Sequence, residues 1–257
     1  MALKDRATLE QAVVEATARE ISGDTRELLK WAYDLLGDNL MMSTAFGKSG
    51  MVLLHFVKDL IPGLPIYFLD TGFHFQETID YANLLKRDWG LNLHFHRPKL
   101  YGDSFKEKYG EKLYETNPDL CCHKNKVEPF AELLDQHQGW IAGIRRDQSA
   151  SRAEAEALEV LETNKLKIQP LVMWTRSRVE DYIADHDIPL HPLFSKGYRS
   201  IGCAPCTQAV TGDDERAGRW AGKEKTECGL HLFWKGKEDE EAPPKGGESP
   251  DSQAFSA

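Results

Sequence analysis

From residue 7 to residue 36 apolar positions recur near a 3.6-residue period, with Leu9, Val13, Ala16, Ile21, Leu28, Leu29, Tyr33 and Leu36 on the stripe. Ser22-Gly23-Asp24 breaks the stripe and offers a new N-cap, so two helices are predicted. Leu40 to Ala45 is a short apolar run that reads as a buried strand, ending in Phe46-Gly47-Lys48-Ser49-Gly50 and followed by an apolar helix from Met51 to Leu60. Ile66 to Leu69 predicts a second buried strand running into Asp70-Thr71-Gly72. Helical spacing then covers Phe75 to Trp89, and Leu91 to His96 alternates as a third strand. A helix after Cys122 through Leu134, strands at Trp140 to Ile144 and near Lys167 to Leu171, and a helix from Thr175 to His186 continue the alternation.

Strands taking turns with helices predict the α/β class: a mainly parallel sheet flanked by helices, with functional groups at the carboxyl ends of the strands. After His191-Pro192 the periodicity fades and Gly, Pro and Cys accumulate, so 191–235 reads as an irregular functional segment. The expected organisation is N-terminal helices over 1–37, an α/β domain over 38–200, a cysteine-bearing C-terminal segment over 201–235 and a disordered acidic tail over 236–257. No internal repeat is visible.

Composition narrows the class further. The 257 residues are 41% hydrophobic and 28% charged, which is the balance of a soluble globular protein with a sizeable core. Net charge is −9, of which the six acids and two lysines of 236–257 contribute −4, so no chain-wide basic field exists to hold a nucleic-acid backbone. A small anionic substrate remains compatible with that balance. The N-terminus is charged, and no run approaches the roughly 18 apolar residues of a membrane helix. A cytoplasmic, membrane-free protein is expected, and a homo-oligomer is compatible with the sequence.

Candidate chemistry begins at FGKSG, where two glycines after a strand let backbone N–H groups approach a phosphate or sulfate at a helix N-terminus. The spacing is not GxxxxGK[ST], so an ordinary triphosphatase is not indicated, and a purely geometric strand-to-helix turn is the competing reading. Asp70-Thr71-Gly72 at the next strand end can touch a ribose or base. Five cysteines carry more information: Cys121 and Cys122 are adjacent, Cys203 and Cys206 form a CxxC, and Cys228 stands alone. Four thiolates suit zinc or an iron–sulfur cube. Adjacent side chains diverge, which is awkward around one small ion and easier when each thiolate holds its own iron, so [4Fe–4S] is favoured over zinc and over two unrelated thiol pairs.

Lys124, Lys126, Arg145, Arg146, Arg152, Arg216 and Arg219 cluster in sequence around these pairs. Forked guanidinium donors in an acidic chain suggest a local anion pocket, against the alternative of a solvated surface paired with Asp147, Asp213, Asp214 and Glu215. Cys228, in Glu227-Cys228-Gly229-Leu230-His231, is left over once four ligands are assigned and reads as a reactive thiol rather than an inert one.

Together STAFGKSG, FLDTGFHFQET, CCHKNKVEP, WIAGIRRDQSASR, YRSIGCAPCT, DDERAGRW and ECGLH resemble the assimilatory sulfonucleotide reductases, in their iron–sulfur adenylylsulfate (APS) reductase branch, from about residue 40 to 231. The resemblance implies an adenine nucleotide α-hydrolase-like fold of the PP-loop superfamily. It implies that Ser43, Thr44, Phe46, Gly47 and Ser49 form the modified loop, and that Asp70, Thr71 and Gly72 face the nucleoside. Lys126, Arg152, Arg216 and Arg219 match positions that hold the phosphate and sulfate. Cys121, Cys122, Cys203 and Cys206 match the [4Fe–4S] ligands, and Cys228 matches the nucleophile.

The implied reaction is thiol-dependent reduction of APS to sulfite and AMP through an S-sulfocysteine, with thioredoxin or glutaredoxin as reductant, in sulfate assimilation toward cysteine. This chain departs from the family pattern at Asn125, where an arginine is common, in a loop one residue shorter between Cys206 and Arg216, and at RWAG. The alternatives are a reductase of 3′-phospho-APS (PAPS) or of both substrates, a PP-loop ATP pyrophosphatase, and a zinc-stabilised binding module.

Overall fold

The structure, a computed structural model, describes residues 3–212, 214–223, 225, 227 and 229–230. Cys228, His231 and the tail expected over 236–257 lie outside the described residues. The helices are α1 (Arg6–Ala18), α2 (Thr25–Leu36), α3 (Lys48–Leu60), α4 (Gln76–Asp88), α5 (Asp103–Tyr109), α6 (Leu113–Thr116), α7 (Pro118–Cys122), α8 (Glu128–Gln136) and α9 (Arg176–Asp185). The strands are β1 (Leu40–Ser43), β2 (Ile66–Leu69), β3 (Leu93–His96), β4 (Gly139–Ile141), β5 (Leu158–Val160) and β6 (Leu166–Ile168).

The strands form one sheet in the order β3-β2-β1-β4-β6-β5, parallel throughout except for the β5–β6 pair. The strands are short apolar runs because both faces of a parallel sheet are covered. Leu40, Met42, Ile66, Phe68, Ile141 and Ile168 face the main core with the apolar stripes of α1 to α4 and α9. Met41, Leu69, Trp140 and Ala142 face the opposite way, against Phe130, Leu133 and Leu134 of α8. Each such large aliphatic or aromatic side chain removed from water contributes about 1.5–3 kcal/mol, so the two layers fix the register of the strands.

The expected break between two N-terminal helices is a 3₁₀ turn at Ile21–Gly23, after which Asp24 caps α2 by accepting from the N–H groups of Arg26 and Glu27. Leu9, Ala16, Leu28, Leu29 and Leu36 are buried in the same core as the sheet. Several boundaries differ from expectation. The helix expected from Met51 begins at Lys48, because Gly47 is extended at the N-cap and lets the first turn form directly. The strand expected over Trp140 to Ile144 leaves the ladder after Ile141, and the strand near Lys167 to Leu171 runs instead over Leu166–Ile168. The helix expected after Cys122 enters through a π turn at His123–Val127, where Asn125 donates its side-chain amide to the Cys121 carbonyl.

The connection from β1 goes to β2 and β3 on one side, then returns across to β4 on the other. The carboxyl ends of β1 and β4 therefore border a topological switch point, where the loops diverge and leave a crevice. The segment from His191 onward runs toward this edge: Tyr81 donates to the Pro189 carbonyl at 2.6 Å, and His191 Nε2 lies 2.9 Å from Thr78 Oγ1. His191 Nδ1 accepts from the Leu193 N–H at 3.2 Å, so the neutral ring donates through Nε2.

Burial depresses the His191 pKa from 6.5 to about 4, partly opposed by Glu77. A histidine kept neutral in the native state contributes stability that is present above pH 6.5 and is lost as pH falls from 6.5 toward 4, because the unfolded chain takes up the proton first. Thermal unfolding followed by circular dichroism should show the midpoint falling through that window. His191→Gln should lower stability by about 1–3 kcal/mol at neutral pH and flatten the slope below pH 6.5.

Candidate functional site

A cavity of about 230 Å³ opens at the switch point, between the ends of β1 and β4 and beneath the C-terminal loops. β1 supplies Ser43, whose hydroxyl accepts from the buried Trp140 Nε1–H at 2.7 Å, and the chain turns at Phe46 with φ of +58°. That left-handed conformation is costly for a bulky residue. It is held because the Phe46 ring is fully buried against Phe68 and Tyr81, with centroids 5.1 and 5.9 Å away. The Thr44 hydroxyl accepts the Phe46 N–H at 3.1 Å and completes the turn.

No side chain caps α3, and its first residues Lys48, Ser49 and Gly50 line the cavity, so the positive end of the helix dipole faces it. Gly143, just past β4, sits so close to α3 that a Cβ there would be 3.2 Å from the Gly50 nitrogen. Any larger residue would push the strand end off the helix terminus.

Several cations stand in the rest of the wall, among apolar side chains and two carboxylates. Arg145, only 1% exposed, donates Nη1 to Ser49 Oγ at 2.6 Å, Nε to Asp147 at 2.8 Å and Nη2 to both Glu215 oxygens at 3.1 and 3.2 Å. Arg152 donates Nε and Nη2 to the two oxygens of Glu227, both at 3.1 Å, and Nη1 to Gln148. Arg216 reaches the same Glu227 carboxylate at 3.1 Å. Arg219 packs its guanidinium over the Trp220 ring at 4.4 Å and donates to the Ile201 carbonyl, while its Nε is buried without a partner among the described residues. His74 donates through Nε2 to the Leu69 carbonyl; burial, reinforced by Lys126 and Arg219, lowers its pKa to about 4 and keeps it neutral, against opposing contributions from the Leu69 hydrogen bond and Asp70.

Beside the cavity lies a small pocket lined by Cys121, Cys122, Cys203 and Cys206 together with Thr71, Asn125 and Lys126. The two cysteine segments meet because the Ala204 N–H bonds to the Phe73 carbonyl at 2.7 Å and His74 bridges to Cys203. Thr71 Oγ1 lies 3.3 Å from Cys203 Sγ, and the Asn125 amide reaches Cys121 Sγ at 3.7 Å while its Oδ1 is buried without a partner among the described residues. All four thiols are free of disulfides. Burial, with the other three cysteines adding, pushes the Cys121 thiol up to about 12, with Lys126 opposing.

Four thiols brought together in that way deprotonate only beside strong positive charge, which is the donor chemistry of a metal group. Among the described residues no three His, Cys, Asp or Glu side chains close on one ion.

Ser43, Thr44, Gly47, Ser49, Lys126, Arg152, Arg216 and Arg219 all line the cavity. Phe46, expected in the loop, and Asp70, Thr71 and Gly72, expected at the strand end facing the nucleoside, are not among the residues that line it. Phe46 is a core residue; Asp70 accepts from Arg97 Nε and the Tyr101 hydroxyl, both at 2.9 Å, and from the Gly72 N–H at 3.1 Å. Thr71 turns toward the cysteines, and Gly72 packs under the Tyr101 ring.

Sequence reasoning left His74, Trp220 and Glu227 out of the site, though each falls inside a segment that it singled out. Lys126 lines both the cavity and the cysteine pocket, which makes it the side chain shared by the two.

An open parallel sheet whose switch point carries an uncapped helix N-terminus and several guanidinium groups defines an α/β nucleotide-binding protein suited to an anionic ligand. Residues 39–209 match the family described as "Phosphoadenosine phosphosulfate reductase domain", and the chain belongs to that family. It is 41% identical over 209 residues to a Staphylococcus haemolyticus protein named adenosine 5'-phosphosulfate reductase, covering 80% of this chain and 86% of that one. It is 38% identical over 235 residues to a protein of the same name from Streptomyces coelicolor, covering 90% and 99%.

Among solved structures it resembles a phosphoadenylyl-sulfate reductase from Candida auris in a phosphate complex, with TM-score 0.65, 28% identity and coverage of 82% and 99%. A Candida glabrata FMN adenylyltransferase shares the fold at TM-score 0.54 and 17% identity, over 75% of this chain and 66% of that one.

Gly202 tests the arginine wall. A Cβ at this position would lie 2.4 Å from the Arg219 guanidinium, so Gly202→Ala should drive that flexible head out of place at little cost to the backbone. Isothermal titration with inorganic sulfate should read binding about tenfold weaker, the scale of one charge-assisted hydrogen bond, with the thermal midpoint nearly unchanged.

Proposed function

We propose that this protein reduces adenosine 5'-phosphosulfate to sulfite and AMP in sulfate assimilation, taking both electrons from a thiol donor. One observation carries the reading: Lys126 is common to an arginine-walled cavity at the switch point and to the four-cysteine pocket, within a family whose 38–41% identical members carry that name.

In this reading Cys228 thiolate attacks the sulfate sulfur, the sulfur–oxygen bond to the phosphate breaks, and the electron pair leaves with AMP. The product on the enzyme is an S-sulfocysteine. A thiolate of thioredoxin or glutaredoxin then attacks Cys228 Sγ and expels sulfite, and its second thiol closes a disulfide, which balances the two electrons. Lys126, Arg152, Arg216 and Arg219 neutralise the oxyanions that would otherwise repel a thiolate, and they stabilise charge arriving on the phosphate. The α3 terminus with Ser43, Thr44, Gly47 and Ser49 orients the nucleotide phosphate.

Cys121, Cys122, Cys203 and Cys206 would hold a [4Fe–4S] cluster, which would tie the two cysteine segments together beside the cavity.

APS is favoured over PAPS because Lys48, the one lysine of the FGKSG loop, is committed to Glu180 at 2.5 Å and lies over the Phe194 ring at 5.7 Å. An added 3′-phosphate would have to compete with that carboxylate.

Sulfite release by anaerobically prepared protein with excess thioredoxin, offered APS and PAPS in parallel, should favour APS. Cys228→Ser should abolish sulfite formation while AMP still binds, and retained turnover would remove Cys228 as nucleophile. The same preparation should contain about four irons per chain, as a cubane requires. Zinc alone would overturn the cluster assignment.

A further inference from the structure

The anion-attracting wall of the cavity is already engaged by an anion of the chain itself. The Glu227 side chain is only 4% exposed and lines the cavity with its two arginine partners. Arg152 meets it in two parallel bonds of 3.1 Å, the fork geometry that equally fits an edge of sulfate or phosphate. Arg216 adds a third bond at 3.1 Å to the same carboxylate. A buried carboxylate is costly unless paired, and among the described residues these guanidiniums are the side chains that pair Glu227.

The next described residues are anchored by different means. Leu230 packs against the apolar cluster beneath α8, and Gly229 lies beside Val127. Leu230 thus has an apolar anchor and Glu227 an ionic one. A ligand that brings sulfate and phosphate oxygens needs the donors that Glu227 now occupies, and two anions cannot share them without repulsion.

We propose that Glu227 is a built-in counter-anion that fills the Arg152–Arg216 subsite in the empty enzyme and is displaced by the phosphosulfate of the substrate, so that substrate entry releases the residue directly before Cys228. This inference rests on the APS reading for the identity of the ligand. Leu230 stays seated during the exchange, and three residues of chain, at most about 10 Å when extended, bound how far the released segment moves. Glu227 is a positioning residue here: it touches the arginines and the chain before the nucleophile, not the reacting sulfur.

The test compares Cys228→Ser with Cys228→Ser/Glu227→Gln, neither of which turns over, by equilibrium dialysis against APS and, separately, inorganic sulfate. Glutamine keeps the shape and loses the competing charge, so both ligands should bind about tenfold more tightly to the double variant. Unchanged or weaker sulfate binding overturns the exchange, whatever APS does. Sulfate binding that tightens in protein that does not bind APS upholds the exchange and overturns the substrate reading instead.

A second measurement needs no change at Glu227. In the wild-type chain, trypsin cleavage after Lys225 should be several-fold faster with saturating sulfate than without it. Protection by sulfate would overturn the displacement.

Discussion

The structure turns on one electrostatic constraint: guanidinium groups gathered to meet an anion must coexist when the anion is absent. Like charges withdrawn from water repel strongly, and each also loses hydration, so a set of arginines holds together only with carboxylates interleaved. Here the interleaving is complete enough to dictate loop conformation. Asp147 and Glu215 brace Arg145 from two segments, and the second Asp147 oxygen accepts the Arg176 N–H at the start of α9. Glu180 in turn takes both Lys48 and Arg176. The loops after β1 and β4, helix α9 and the C-terminal segment are thereby joined through charge pairs as well as through the apolar clusters.

The same logic explains how the two cysteine pairs meet. They are about eighty residues apart in sequence, and the sheet alone does not bring them together. β2 delivers Asp70 and Thr71 to the sheet edge, where Asp70 is braced by Arg97 and Tyr101 and Thr71 faces Cys203. The backbone pairing of Phe73 and His74 with the Cys203–Ala204 turn then locks the C-terminal loop to the end of β2. Asp70 and Thr71 therefore form the joint between the sheet and the thiol pocket. Lys126 faces both because the π turn rotates it off the helical stripe that buries Val127 and Phe130.

Much of the sheet was legible in the chain because buried parallel strands are short apolar runs that end at polar or glycine-rich turns, as LMMS before STAFGKSG and IYFL before DTG illustrate. What escaped is instructive. β5 is a three-residue edge strand, LEV, with no alternation long enough to detect. Helices α5 to α7 lie in a stretch whose apolar residues, Phe105, Leu113 and Cys121, form a small satellite core too sparse to show a period. At the site, residue type marked the arginines and cysteines, but direction could not be read. Phe46 points into the core because the turn demands φ of +58°, a conformation that composition does not announce. Glu227 was invisible as a participant because an acid beside a cysteine has no signature until its arginine partners, 75 and 11 residues away, are placed.

Net charge was an equally poor guide to the site, and the reason is physical. A chain at −9 carries a cavity walled by arginine and lysine because Coulomb interactions are local: beyond about 8 Å at physiological salt, surface acids are screened from the cavity. What governs the cavity is its nearest carboxylates, and those are of two kinds. Asp147 and Glu215 are braced by several bonds each and belong to the framework. Glu227 is held by donors that an incoming oxyanion can claim in full. A site arranged in this way meets an anion with its arginines already oriented, so that binding exchanges one set of charge-assisted hydrogen bonds for another instead of assembling them from disordered side chains.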